Sequence, residues 1–465
     1  MAWSVELSEA ADRELSKLDA QHGRRALKFL YAEGIGDERR SASVLRTCSE
    51  TLMRGTVGNQ GRYFRRRFAT RIRVKMLALA VALVLPVLVT TTVAQAQTYS
   101  VLYSFTDGAD GAFPIAGLTA DTAGNLYGAA SGGGIYGEGV IFELESGTNE
   151  SAIYTFTGGL DGGYPASTPI LDGAGNLYGT TYFGGNASCE CGVVFRVDPA
   201  GIENVLKTFA GGRDGANPNG GLFRDAAGNL YGTTDEGGVF NASCGKAGCG
   251  EVFELHSAGN ESVVYRFTGG LGGFLPRGLV ADASGNLYGG TFRGGTGYGT
   301  VFELSPGGQE TVLYTFDGGD GWAPSAGVIR DESGNLYGTT EAGGTYGQGV
   351  VFKLDSTGQE TVLYNFTGGA DGTVPEGRLV EDPAGNLYGT TVYGGEGYGV
   401  VFKLSPNGKE SVLYSFSGGT DGANPLAGLL ESDGSLYGTA AYGGNVGGSC
   451  QAPIGCGVVF KIRLH

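Results

Sequence analysis

Histidine is close to absent from this chain: His22, His256 and His465 are its whole supply, and no Gly-x-Ser-x-Gly segment occurs. Serine and cysteine nucleophiles work beside a general base, and the strand-to-helix elbow of serine hydrolases carries that glycine-flanked serine. His256, next to a predicted strand end, reads as a surface residue, so nucleophilic catalysis of this kind has little support. Basic residues are scarce beyond the first hundred positions. Residues 97–465 hold 15 Lys+Arg against 38 Asp+Glu, a balance of −23, whereas residues 1–96 hold 16 against 9. So acidic a body repels nucleic acid and anionic membranes. Cationic ligands, divalent ions or a solvated surface with no partner remain. Helical periodicity is missing from the same region, and its Gly-x-Gly runs lack the strand–helix context of a dinucleotide site.

What the chain has is glycine, 89 residues of 465, in a regular pattern. Gly-Asn-Leu-Tyr-Gly recurs with its tyrosines at Tyr127, Tyr178, Tyr231, Tyr288, Tyr337, Tyr388 and, in the variant Gly-Ser-Leu-Tyr-Gly, Tyr437. The spacings are 51, 53, 57, 49, 51 and 49 residues, and a period near fifty marks a repeat architecture. One copy reads as four short runs: a, Arg378 to Asp382; b, Leu387 to Thr391; c, Gly399 to Leu404; and d, Ser411 to Phe416. β-Branched and aromatic residues fill these runs, and Gly, Asn, Asp and Pro bound them, as in strands joined by turns.

Four antiparallel strands per repeat describe a propeller blade. The a–b–c set occurs seven times and ends with Val458-Val-Phe-Lys-Ile462. The first d run, Val101-Leu-Tyr-Ser-Phe105, precedes any a run, and the last repeat lacks a d run of its own. This register predicts an all-β, seven-bladed propeller in which residues 101–105 complete the last blade and remove an open edge. The tight a–b and c–d turns then share a lower face. The longer d–a and b–c loops share an upper face, the expected working surface.

Six of the seven cysteines pair locally in the b–c loops, as Cys189/Cys191, Cys244/Cys249 and Cys450/Cys456. Close pairs at equivalent places read as disulfide staples on elongated loops, formed in an oxidising compartment. A thiolate metal site is the alternative, although the pairs fall in different blades and histidine is scarce. The Cys189-Glu-Cys191 ring is a tight one. Cys48 has no local partner.

Ahead of the repeats, Arg62 to Lys75 is basic, Met76 to Val93 is apolar, and Ala94-Gln95-Ala96 is a small-x-small site. This order predicts a secretory signal at about 62–96 with cleavage after Ala96. An uncleaved anchor is the structural alternative, because the apolar run reaches the lower limit for a span. Three segments result: 1–52, 53–96 and 97–465. In the first, Met1 to Leu7 reads as a strand, and Ser8 caps a helical pattern through Leu15, Leu18, Leu27 and Leu30. Residues 1–40 resemble the start of RelE/ParE-family toxins, as a small α/β fragment. The family's remaining sheet and basic end are replaced here by the signal, so no toxin activity is carried over. A gene fusion, or translation from Met53 or Met76, is the expectation for this arrangement.

The seven Asn/Ser-Leu-Tyr-Gly copies, the Gly-Val-Val-Phe-x-Leu copies and the Gly-Gly-x-Asp-Gly stretches of residues 97–465 resemble the GloVer (Gloeo/Verruco) repeat proteins. That resemblance implies a secreted bacterial tandem-repeat protein with no established catalytic activity. Family members often carry a C-terminal sorting anchor. This sequence ends at Lys461-Ile-Arg-Leu-His465, so release or unassisted surface association is expected, with no stable membrane insertion after cleavage and a monomeric state.

Two groups of upper-face residues are candidates for chemistry. The d–a loops carry Asp110, Asp161, Asp214, Asp320, Asp371 and Asp421, oxygen ligands that suit calcium. The fourth such loop, Gly269 to Pro276, has no acid yet keeps its turn residues, so turn formation explains the motif without an ion. Tyr136, Tyr182, Phe183, Tyr298, Trp322, Tyr346, Tyr393 and Tyr398 offer rings for stacking on a sugar or a peptide, with packing between blades as the plainer role. Two functions follow: a non-enzymatic module binding a glycan or an extracellular protein, or an extracellular hydrolase or lyase of polysaccharides or lactones with a metal in the central channel.

Overall fold

A computed structural model describes residues 97–464 apart from 146–148, 258, 448–449 and 451–453. The toxin-like stretch 1–40, the remainder of segment 1–52 and the signal region through Ala96 lie outside the described residues. Seven antiparallel sheets form a ring, a seven-bladed β-propeller, with two short 3-10 turns at Gly212–Asp214 and Gly270–Gly272 and no α-helix among the described residues. In the sixth blade the strands Val380–Glu381, Leu387–Thr391, Val400–Leu404 and Glu410–Ser415 pair in that order.

The repeated motif is a list of contacts. Asp382 Oδ1 accepts the amides of Ala384 and Asn386, both at 2.9 Å, which closes the a–b turn. Its Oδ2 accepts Asn386 Nδ2 at 2.7 Å and the Tyr388 hydroxyl at 2.9 Å. Partial burial raises the Asp382 pKa, but these bonds together outweigh it and hold the carboxyl below its ordinary value. Leu387 fills the core between blades. Gly389 lies under Phe402, where a Cβ would come 2.6 Å from Cζ, and the same glycine-on-phenylalanine contact recurs in all seven blades. Asp382→Ala strips acceptors from two turn amides and a tyrosine, and chemical denaturation is expected to show a loss of about 1–2 kcal/mol.

Neighbouring blades are joined by a second repeated device. Gly399 has φ 96°, and a Cβ there would lie 2.3 Å from Thr391 O and 2.8 Å from the ring of Pro425 in the next blade. Every junction repeats this contact of proline on glycine, including Gly457 with Pro114. The residue before each proline (Phe113, Tyr164, Asn217, Leu275, Ala323, Val374, Asn424) has φ between 53° and 60°. A left-handed non-glycine residue costs about 1–2 kcal/mol. Each of these donates its amide to a carbonyl of the preceding blade's b–c loop at 2.7–3.2 Å, so the strained backbone is held by an inter-blade bond.

Ring closure uses the same parts. Thr98–Ser104 pairs with Val458–Arg463 as the outer strand of the seventh blade, which bears out the register read from the sequence. Phe105 donates its amide to Gly457 O at 3.1 Å, and its ring meets Phe142 of the first blade at 5.2 Å. Each of the other junctions has the equivalent edge-on phenylalanine pair at 5.1–5.3 Å.

Candidate functional site

The b–c loops of the upper face present exposed rings in two arrangements. Tyr136 and Tyr346 stand at equivalent places in Gly-x-Tyr-Gly-x-Gly segments and are each 58% exposed. Tyr298 and Tyr398 instead lean over the next blade's d–a loop: a Cβ on Gly318 would lie 2.8 Å from Tyr298 Cε1, and one on Gly418 2.5 Å from Tyr398 Cζ. Both keep an exposed side, and Tyr298 meets half-buried Trp322 edge-on at 6.1 Å. Tyr393 is exposed just past the b strand of the sixth blade.

Tyr182 and Phe183 are placed differently. They end the strand Leu177–Phe183 and are only 6% and 5% exposed, packed on each other at 4.8 Å and against Tyr164. They are part of the blade wall. The apolar upper surface also includes Ile135, Leu160, Phe240 and Leu271, all exposed. The three aliphatic residues carry no ring that would mark them in the sequence, and Phe240 lies in the b–c loop ahead of Cys244, where no tyrosine repeat points to it.

All three cysteine pairs are disulfides, Cys189–Cys191, Cys244–Cys249 and Cys450–Cys456. They sit on the b–c loops just ahead of the c strands, as the sequence predicts, and their sulfurs also reach into the core. Cys249 and Cys456 are buried, two residues ahead of the c strands Glu251–Leu255 and Val458–Arg463. Cys249 packs in the apolar core that holds Phe267 and Phe302, and Cys456 in the one that holds Phe105 and Val140. Cys191 and Cys450 are buried as well. A half-cystine behaves here as a small apolar residue, so each bridge ties its loop down to the core between blades. The carbonyls of Cys249 and Cys456 also accept the amides of Leu275 and Phe113, at 3.1 and 2.9 Å, two of the inter-blade bonds that hold the left-handed residues. At two junctions the sulfur takes the place that Tyr298 occupies elsewhere. A Cβ on Gly211 would lie 3.0 Å from Cys191 Sγ, and one on Gly269 2.9 Å from Cys244 Sγ.

The loop aspartates are engaged by their own turns and by the tyrosine of the preceding strand. Asp110 accepts Thr106 N at 2.7 Å, Thr106 Oγ1 at 2.6 Å and the Tyr103 hydroxyl at 3.0 Å. Asp161, Asp371 and Asp421 repeat this with Tyr154, Tyr364 and Tyr414 at 3.0 Å each. Asp320 is bonded to Tyr314, and Asp214 accepts Lys207 Nζ at 2.6 Å. The acid-free fourth loop closes the same turn, with Gly269 N bonded to Gly273 O at 3.1 Å. Among the described residues no group of three or more His, Cys, Asp or Glu side chains is placed to hold a metal ion.

Beside this pairing lies a second row of acids that the sequence did not reveal. The first residue of a d strand is Glu203, Glu261, Glu310, Glu360 or Glu410, and Glu150 stands second in its strand. Each of the six has its Oε1 buried without a hydrogen-bond partner. Burial, and then the neighbouring charge of Asp110, Asp161, Asp320 or Asp371, pushes Glu150, Glu203, Glu360 and Glu410 up to about 7. Where the second blade meets the third, Lys207 bonds both Asp214 and Glu261. Where the third meets the fourth and the aspartate is missing, Glu310 accepts the Tyr265 hydroxyl at 2.6 Å.

Against known families, the Gloeobacter/Verrucomicrobia repeat matches residues 87–296 and 238–452. The chain belongs to that family. For this Gloeobacter/Verrucomicrobia repeat protein, a search of curated proteins finds no match. Among solved structures it is similar to the extracellular domain of hybrid two component system BT3049 from B. thetaiotaomicron, with TM-score 0.51 and 14% identity over 79% of this chain and 41% of that one. It is also similar to the extracellular domain of one component system BT4673 of the same organism, with TM-score 0.50 and 10% identity over 78% and 39% of the two chains. A gluconolactonase from Xanthomonas campestris, XC5397, aligns with TM-score 0.39 and 16% identity over 63% and 86%. The repeat protein thus spans about two-fifths of the two sensor chains, and at these identities the likeness is one of fold. No helix among its described residues is long and apolar enough to cross a membrane.

Proposed function

We propose that this protein is a secreted or surface-associated propeller that binds its ligand, an extracellular glycan or protein, on the upper face without converting it. The observation that carries this reading is the division of labour between the two upper-face groups. The loop carboxylates are occupied by turn amides, hydroxyls and a lysine, whereas Tyr136, Tyr346, Tyr393 and Tyr398 hold exposed rings on a rigid ring of blades. Tyrosine supplies contact area and a hydroxyl at low entropic cost, and the reading asks for no metal ion. The basic–apolar–small order before residue 97 and the three disulfides support export to an oxidising compartment.

The test is a screen of the purified protein on glycan arrays and against extracellular proteins, followed by the double variant Tyr136→Ala/Tyr346→Ala. Both side chains are exposed, so the variant should melt with the wild type. Its affinity for the ligand is expected to fall at least about tenfold, since exposed aromatic anchors contribute on the order of 1 kcal/mol each. A ligand held equally well by the variant removes the upper-face tyrosines from the reading. Turnover of a sugar or lactone in the same screen removes the non-enzymatic reading altogether.

A further inference from the structure

The large apolar side chains left in water are spread unevenly over the ring. Of the fifteen that are exposed among the described residues, eleven lie in the d–a and b–c loops of the upper face. Two places gather them from neighbouring loops. Where the first blade meets the second, Ile135 and Tyr136 stand on one loop and Leu160, 76% exposed, on the next. These loops touch: Tyr164 N donates to Glu138 O at 2.8 Å, and a Cβ on Gly158 would lie 2.7 Å from Glu138 Cδ. Where the third blade meets the fourth, Phe240 and Leu271, the latter 78% exposed, repeat the arrangement. There Asn241 Nδ2 donates to Thr268 O at 2.6 Å, and a Cβ on Gly269 would lie 2.6 Å from Ser243 Cβ.

Neither leucine is required by its turn. Both follow a Gly-Gly pair, and in the sixth blade's loop the same place is taken by Ala370. That turn closes alike, with Gly368 N bonded to Gly372 O at 3.2 Å, as Gly158 N is to Gly162 O at 2.9 Å. The surroundings are acidic. By the observed strand bounds, the upper loops hold thirteen Asp and Glu against Arg213, Lys246 and Arg378. A leucine offers neither a ring face for stacking on a sugar nor a polar group to bond one. What takes it out of water is another apolar side chain, and an acidic rim favours a partner of opposite sign.

We propose that the partner of the upper face is a protein whose contact surface interleaves lysine or arginine with aliphatic side chains, seated on these two apolar spots. The inference rests on the reading of this face as the binding surface, and within that reading it chooses a cationic protein over a glycan. The apolar side chains supply the contact area, and the acidic loops set the charge of what docks there.

Three synthetic peptides of equal length, alternating Lys-Leu, Lys-Ser and Glu-Leu, test this by fluorescence anisotropy with the purified protein at about 0.15 M ionic strength. Lys-Leu is expected to bind at least about tenfold more tightly than either of the others. Leu160→Ser/Leu271→Ser should bring Lys-Leu down to the level of Lys-Ser while melting with the wild type, since both side chains are exposed. Ile202→Ser, exposed in a c–d turn of the lower face, should leave it unchanged. Lys-Leu binding no tighter than Lys-Ser overturns the proposal, as does Glu-Leu matching Lys-Leu or equal binding by the leucine variant. Tyr136→Ala/Tyr346→Ala in the same titration separates the two readings. A neutral glycan held through those tyrosines, with no preference for Lys-Leu, ends this inference alone. Lys-Leu lost with the leucines but kept by the tyrosine variant upholds it and removes the tyrosines from the binding surface.

Discussion

A chain beginning at residue 107 is expected to lose cooperative folding, and one with residues 97–106 moved behind residue 464 is expected to regain it. Thr98–Ser104 is the outer strand of the seventh blade, and Phe105 is fully buried against the first. Truncation opens the hydrogen-bonding edge of Val458–Arg463 and removes Tyr99, which stacks on Tyr414 at 3.7 Å and donates its hydroxyl to Asp421 O at 2.5 Å. Phe105→Ala by itself should cost about 3–5 kcal/mol, a large share of the roughly 5–15 kcal/mol that holds a typical domain together. The permutant is sterically simple because Thr98 faces Arg463 across the ladder. A turn like the one joining Leu404 to Glu410 in the sixth blade would connect them. Thermal melts followed by circular dichroism decide the matter. A truncated chain that melts like the full one would show that the ring does not depend on this strand.

The parts of the structure legible in the sequence are those made by residues close in the chain. Asp382 and Asn386 form a turn with each other, and Gly389 faces a phenylalanine one strand away, so their spacing carries the information. The closing strand was legible because a missing d run at one end matched a surplus one at the other. Cysteine spacing revealed which sulfurs pair, whereas the burial of Cys249 and Cys456 is set by phenylalanines of other strands and blades. Three further features were not legible. In Val-Leu-Tyr, as in Val362-Leu363-Tyr364, three apolar residues in a row hide a β-bulge: Val362 faces Phe352 and Tyr364 faces Val351, leaving Leu363 without a partner in the ladder. The left-handed residues before the prolines are Phe, Tyr, Leu, Val, Ala and Asn, and apart from asparagine nothing in those types marks such a backbone. The glutamates of the d strands meet aspartates from the preceding blade. That neighbourhood is set by the ring and by no local spacing. Tyr182 and Phe183 belong to the same lesson, since loop residues and strand ends look alike when only the types are read.

Those interfacial glutamates make stability fall as pH rises from 5 to 8. Glu150, Glu203, Glu360 and Glu410 sit at about 7 in the folded ring against an ordinary 4.5, as does Glu251, buried beside Arg266. A carboxyl whose folded pKa is raised stabilises fully below its unfolded value, and that contribution is lost as pH climbs through the folded one. Asp371, Asp382 and Asp421 act in the opposite sense. Their pKa values are held low, against partial burial, by bonds from Thr367, Asn386 and Ser417, so their contribution is present above about 4 and lost below it. Maximum stability therefore lies near pH 4–5. The glutamates at the blade junctions are only half enclosed, and solvent screening reduces each contribution to on the order of 1 kcal/mol. Four of them together should lower the melting temperature by several degrees between pH 5 and 8. Replacing Glu150, Glu203, Glu360 and Glu410 by Gln should flatten that slope, because an amide has no proton to lose. A wild-type melting temperature that holds level or rises over this range would mean that the buried oxygens at the blade junctions are not protonated in the folded ring.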